Sequence, residues 1–334
     1  VRSIVALAVS EAPEAVNVLP EDGHGLEEAI ERWARSPELA TLVAEFGGDA
    51  PASDEPLLAL LNRLAAFSER WDYRRGAERN LVEPPAFDPA RRRVVLDAAH
   101  ALGLVGRTGL HHRRYDHLLV LGGLARACLA RPLFAARLLA EGEIEAGSVT
   151  ALGGYRELKG DEIELVRSIL GDGPQNEFDV MDDGVRNAFG LGEASDERGE
   201  ESDVVGASWR VREYAYAYGL PVRVVAAASP EPGRRPNTAD TYGWFASELA
   251  HLQPGERLLL VTSDIYVPYQ HADALRMLAL PYRVEIETAG MRPGEVDQRL
   301  AQNFLPHDYL QEIRSTILAL RNLHSTLAVE GRRL

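Results

Sequence analysis

One local pattern recurs from about residue 115 to residue 290: a short apolar run, a turn, then a helical segment. The run 117–121 ends at Gly122-Gly123, 148–152 at Gly153-Gly154, and 222–228 at Ser229-Pro230. The run 257–261 ends at Thr262-Ser263-Asp264, and 283–287 at Thr288-Ala289-Gly290. Segments 125–141, 178–189, 209–218, 238–252 and 269–278 between them carry apolar residues at helical spacing. Strands without strict alternation, separated by helices, predict a parallel sheet covered on both faces. Right-handed crossovers then bring every loop that follows a strand to one sheet edge, where such folds bind ligands. The expected fold is α/β: a Rossmann-like, mostly parallel sheet with helices on both faces. The acidic stretch 192–206 reads as a mobile surface loop.

Two helical flanks complete the plan. In residues 1–95, Leu26, Ile30 and Trp33 share one helical face, as do Leu57, Leu60, Leu61 and Leu64. Pro84-Pro85 and Pro89 mark a turn or short linker. This segment is expected to pack on a core formed by 96–334, which ends in an amphipathic helix.

Charge and cysteine content narrow the function classes. The 334 residues hold 36 basic and 51 acidic side chains, a net charge of -15. That balance argues against nucleic acid and anionic membranes as partners and favours a small-molecule substrate. Cys128 is the only cysteine, so no intrachain disulfide forms and a reducing, cytoplasmic setting is expected. No apolar stretch approaches the roughly 20 residues that span a bilayer. The apolar run 1–9 lacks the charged start and length of a signal peptide. Composition leaves the oligomeric state open.

Gly122-Gly123 and Gly153-Gly154 let backbone N–H groups approach a ligand closely, although a simple turn explains them equally. The full Gly-x-Gly-x-x-Gly fingerprint is absent. Arg156 follows the second glycine pair and is read either as a ligand contact or as a solvated charge. Arg234-Arg235-Pro236-Asn237-Thr238 places charge at a helix start; Arg235 is expected to meet an anionic group, and capping alone accounts for Asn237 and Thr238. Thr262, Ser263 and Asp264 close a buried strand with groups able to orient a ligand or supply a base, or to cap the next turn. Glu177 and Asp240 are further candidate bases, Glu177 also being favourable at a helix start without any function. His111, His112, Asp116 and His117 lack a regular zinc spacing, so no metal is expected.

In order, these motifs resemble the YdcF/SanA-like family of domain-of-unknown-function proteins, in its soluble YdcF-type branch. The resemblance is carried by Leu121-Gly122-Gly123, Arg137, Leu152-Gly153-Gly154, Glu177, Asn237-Thr238 and Val261-Thr262-Ser263. It implies a Rossmann-like fold, Arg137 as a site residue, and S-adenosylmethionine or another adenosine-containing cofactor. Tyr266 stands where that family often has a histidine. The functional expectation is a transferase acting with a nucleotide-like or S-adenosylmethionine-like ligand. Alternatives are a hydrolase using Glu177, Asp240 or Asp264 as base, and a non-catalytic ligand-binding protein.

Overall fold

The computed structural model describes residues 24–330 except 77, 107–108, 216–218 and 232. The expectation for the run 1–9 lies outside the described residues. Seven strands form one sheet: β1 (Arg114–Leu121), β2 (Glu145–Gly153), β3 (Asp196–Glu200), β4 (Trp209–Ala215), β5 (Pro221–Ala226), β6 (Arg257–Ser263) and β7 (Glu285–Met291). Their order is β3-β4-β5-β2-β1-β6-β7. From β5 to β7 every pairing is parallel, while β4 runs antiparallel to both β3 and β5. The fold is thus α/β with a mixed, mostly parallel sheet. Chain order reverses between β1 and β6, so the crevice beyond the carboxyl ends of these strands is the expected ligand position.

Two sequence expectations are corrected. The helix expected over 209–218 is not formed at Trp209–Ala215, which is β4. Its two buried residues, Val211 and Tyr214, stand three apart and imitate helical spacing. The side chain of Tyr214 is held by a hydrogen bond to Asp182 at 2.5 Å. Stretch 192–206 is not simply a surface loop, since it contains β3, whose side chains are all exposed. β3 is a charged edge strand, a composition that discourages further pairing.

The helices sort by face. Helix α5 (Ala125–Ala140) and helix α7 (Glu177–Phe189) pack on one side, with α6 (Asp161–Leu170) beside them. Pro132 inside α5 supplies no N–H to the carbonyl of Cys128. Gly184 of α7 packs directly against that carbonyl, where a Cβ would collide with it. The opposite face carries α8 (Thr238–Trp244), α9 (Val267–Ala274) and the long C-terminal helix Pro306–Glu330.

That second face also receives the N-terminal helices α1 (His24–Ala34), α2 (Pro37–Glu45), α3 (Leu57–Phe67) and α4 (Pro89–Ala101). Ser36 and Asp88 cap α2 and α4 through their side chains, each with proline at the first helical position. Trp33 Nε1 donates to the carbonyl of Leu102 at 3.2 Å. Leu60, Leu61 and Leu64 share one apolar core with Leu310, Ile313 and Ile317 of the C-terminal helix.

Candidate functional site

A cleft of about 1110 Å³ opens at the carboxyl edge of the parallel strands. That is room for a nucleotide-sized ligand. Its floor begins at the turn after β1. Side chains of a helix point back toward its start, so Arg131, in the second turn of α5, returns to the end of β1. Its Nη1 donates to the carbonyls of Leu121, at 2.8 Å, and Gly122, and its Nε and Nη2 reach Ser263 Oγ at 3.3 Å. Arg131 is 1% exposed, and among the described residues no carboxylate pairs with it. Burial pulls its pKa down.

The second wall is the loop after β2 folded onto the start of α7. Asn176 caps α7 by accepting from Asp179 N at 3.1 Å. The first free amides, Glu177 N and Phe178 N, donate to the carbonyls of Arg156 and Gly154 at 2.8 and 2.9 Å. Gly153 permits this contact, because a Cβ there would sit 3.3 Å from Phe178 Cα. The result fixes Glu177 against the β1 turn. Its Oε1 accepts from Gly123 N at 3.1 Å, and its Oε2 lies 3.2 Å from Arg156 Nε. Burial pushes the Glu177 carboxyl up to about 7, against the opposing pull of Arg156.

Arg156 is shared. Both of its Nη atoms bond the carboxylate of Glu162 at 2.8 Å, and Glu162 also accepts from Ala125 N at 2.7 Å. Glu162 therefore closes the N-terminus of α5 and braces Arg156.

The remaining walls come from three places. Tyr266 and Tyr269 stand at the start of α9, with Tyr266 edge-on to Phe304 at 5.9 Å. Ser202–Gly206 from the β3–β4 connection covers one side, held by Ser229 N donating to the Gly206 carbonyl at 2.7 Å. Arg74, Glu78 and Arg79 of the N-terminal segment form the last side. In total seven cationic and four acidic side chains line the cleft of a chain whose net charge is -15, so its local charge is reversed toward anionic ligands.

The structure gathers Gly122, Gly123, Gly153, Gly154, Arg156, Glu177, Arg235, Asn237, Thr238 and Tyr266 on this cleft. Thr262 and Ser263 lie fully beneath it, Ser263 serving as acceptor for Arg131. Arg137 is elsewhere: it bonds Glu295 at 3.1 Å on the outer part of α5. Asp240 is engaged in a reciprocal cap with Asn237 and pairs with Arg234 at 2.6 Å. Asp264 accepts from Ile265 N at 2.9 Å and from Gly106 N at 3.4 Å, and burial raises its pKa to about 6. It does not face the cleft. Arg235 is exposed on the rim, 3.6 Å from Glu78. His111 meets Glu287 at 3.0 Å and His117 meets Ser148 at 2.9 Å. These contacts belong to the amino end of the sheet. Among the described residues no group of three or more His, Cys, Asp or Glu side chains is placed to hold a metal.

Sequence reasoning missed Arg131, Arg74, Arg79, Tyr269 and Glu162. For Arg131 a signal was present, since it is the only charged residue in the run 127–136.

The fold and cleft together define an α/β protein with a switch-point cavity whose lining is contributed by both halves of the chain. A family model described as the Rv3785 N-terminal domain matches residues 19–103. The chain is 33% identical over 328 residues to the uncharacterized protein Rv3785 of Mycobacterium tuberculosis strain H37Rv, covering 88% of each protein. Identity and coverage are the same for the uncharacterized protein Mb3814 of Mycobacterium bovis. The chain belongs to this Rv3785 family. No solved structure matches it. The resemblance to the YdcF/SanA-like family is thereby overturned, since both the family match and the long relatives lead to Rv3785. The short Gly-Gly and Thr-Ser motifs belong to the strand ends of this sheet type and do not identify that family.

Proposed function

We propose that this protein is an enzyme acting on a phosphate-bearing, nucleotide-sized metabolite, with Glu177 as the general base of a group transfer. The observation that carries the reading is the Glu177 carboxyl, which faces the cleft and ionises at about 7. A base poised near neutrality both accepts and returns a proton efficiently. It would take the proton of an acceptor hydroxyl while the arginines hold the departing phosphate-bearing group. Water as acceptor gives the hydrolase version of the same step. The cationic lining favours a phosphate over the sulfonium of S-adenosylmethionine, while an adenosine moiety remains compatible with the space available.

A binding protein without chemistry is the competing reading, favoured by the fact that both Glu177 oxygens already accept hydrogen bonds. A cytoplasmic setting accords with the single, buried Cys128. Among the described residues no helix is long and apolar enough to cross a membrane.

Turnover and binding assays with nucleotides, sugar nucleotides and S-adenosylmethionine test the proposal. A phosphate-bearing metabolite should be consumed by the parent, and Glu177→Gln should bind it with turnover lost. Binding without turnover in the parent would favour the competing reading. Failure of every phosphate-bearing compound to bind would sink both.

A further inference from the structure

We propose that the arginine-rich end of the cleft is a phosphate-monoester subsite completed by the N-terminal segment, with Arg79 and Arg131 as its cations and Tyr266 and Tyr269 as further donors. The proposal rests on the reading of the cleft as a phosphate-metabolite site and locates the phosphate within it.

Charge pairing singles out these two arginines. Arg74 is matched by buried Glu312, Arg235 by Glu78, Arg234 by Asp240, and Arg156 by Glu162 and Glu177. Among the described residues, Arg79, Arg131 and the exposed Lys159 of the lining have no carboxylate within ion-pair distance. The two guanidinium groups, each held beside an aromatic ring, match the two charges of a phosphate monoester near neutral pH. A guanidinium carries five N–H donors. The four hydrogen bonds of Arg131 use Nε, both Nη1 hydrogens and one at Nη2, leaving one Nη2–H for the cleft.

An unpartnered donor occurs in the same place. Arg79 Nε is buried with no hydrogen-bond partner, on a residue that lines the cleft. Buried polar groups are otherwise nearly always paired, so this donor marks a position that an anionic ligand would satisfy. Tyr269 Oη accepts from Gln270 Nε2 at 3.1 Å, which leaves its own proton available for donation. Burial pushes the Tyr266 and Tyr269 hydroxyls up, so both remain protonated donors.

Aromatic rings join the two cations. The Arg79 guanidinium lies 5.0 Å from the Phe304 ring centre, Phe304 lies 5.9 Å from Tyr266, and Arg131 lies 5.4 Å from Tyr266. Arg79 is positioned from outside its own segment. Neighbouring Asn80 donates to the Lys159 carbonyl at 2.9 Å and to Asp161 at 2.8 Å, while Glu78 meets Arg235. The N-terminal segment is thus anchored to the start of α6 with Arg79 at the cleft.

The test is calorimetric titration of the full-length chain with inorganic phosphate, AMP and adenosine. Arg79→Gln is expected to weaken AMP and phosphate binding by about tenfold or more while adenosine binding stays level. Tyr269→Phe should shift AMP in the same direction, and it keeps the proposal testable if Arg79→Gln does not fold. Arg137→Gln, on the outer part of α5 away from the cleft, should bind AMP as the parent does. Equal AMP affinity in the parent, Arg79→Gln and Tyr269→Phe would overturn the subsite, and the reading of the cleft would stand if Glu177→Gln still lost turnover. A parent that binds neither AMP nor phosphate, nor any other phosphate-bearing metabolite, would overturn both.

Discussion

Arg156 Nε stands 3.2 Å from Glu177 Oε2, yet the Glu177 carboxyl ionises at about 7 because its burial outweighs the arginine beside it. Arg156 spends both Nη groups on Glu162, so Glu177 receives only one of its edges. The arrangement keeps a proton near the cleft at neutral pH.

Stability should therefore depend on pH through this residue. The folded-state pKa is raised from 4.5 to about 7, so the folded protein binds the proton more tightly than the unfolded chain does. The contribution is fully present below about pH 4.5 and is lost as pH rises through about 7. A shift of this size corresponds to about 3 kcal/mol. Denaturant unfolding from pH 4.5 to 8 should show the parent losing about that much relative to Glu177→Gln. Parallel curves for the two proteins would mean that Glu177 ionises like an ordinary carboxylate.

The two glycine pairs should respond differently to one added methyl group. A Cβ at Gly122 would collide with Glu177 Oε1 and the Leu152 carbonyl, and the carbonyl cannot move without shifting β2. A Cβ at Gly154 meets nothing within 4 Å. Gly122→Ala is expected to cost about 1–3 kcal/mol by overpacking and to displace Glu177. Gly154→Ala should leave the melting temperature within about a degree or two of the parent, since substitutions away from packed features rarely exceed about 0.5 kcal/mol. Thermal unfolding of the pair checks this, and equal losses would contradict the geometry.

Asp240 should behave as a cap and not as a base. Its carboxylate accepts from Asn237 N at 2.8 Å while its own amide donates to Asn237 Oδ1 at 3.0 Å. Asp240→Ala is expected to cost about 1 kcal/mol, the usual worth of such a cap, with ligand affinity retained. Loss of turnover with unchanged stability would return Asp240 to the candidate bases.

The parallel part of the sheet was legible at β1, β2, β5 and β6, apolar runs that end at or near turn residues; at β7 the expected turn Thr288-Ala289-Gly290 instead continues the strand and pairs with Leu260, Val261 and Thr262 of β6. Glu177 was legible too, as an acidic residue at a helix start close to the glycine turns. The β3–β4 hairpin was not: β3 buries none of its side chains, and Val211 and Tyr214 of β4 carry the spacing of a helix. Helix α6 was missed although its apolar residues lie on one face, because Glu162, one of its buried residues, is a charge that only Arg156 explains. Arg79 and Arg131 could not be joined by any local pattern. They stand 52 positions apart in the sequence and meet only through Phe304 and Tyr266. Asp264 looked functional by residue type and Arg137 through the family resemblance, and three-dimensional pairing places both away from the cleft.

The last expectation concerns the dependence of the sheet domain on the helices before it. Leu39, Leu42, Leu60, Leu61, Leu64 and Trp71 are fully buried, in the same core as Leu258 and Leu260 of β6 and Leu310 of the C-terminal helix. Each large apolar side chain kept from water contributes about 1.5–3 kcal/mol, and a domain's net stability is only about 5–15 kcal/mol. A chain beginning at residue 104 would expose the partner faces of these residues on β6, α9 and the C-terminal helix. It should lose cooperative unfolding and bind a hydrophobic dye at neutral pH. Limited proteolysis of the intact protein should spare α4, which runs unbroken from Pro89 to Ala101 and buries Val95, Ala98 and Ala99. Recovery of a folded fragment from residue 104 onward, with a single sharp unfolding transition, would show that the sheet stands without its helical neighbours.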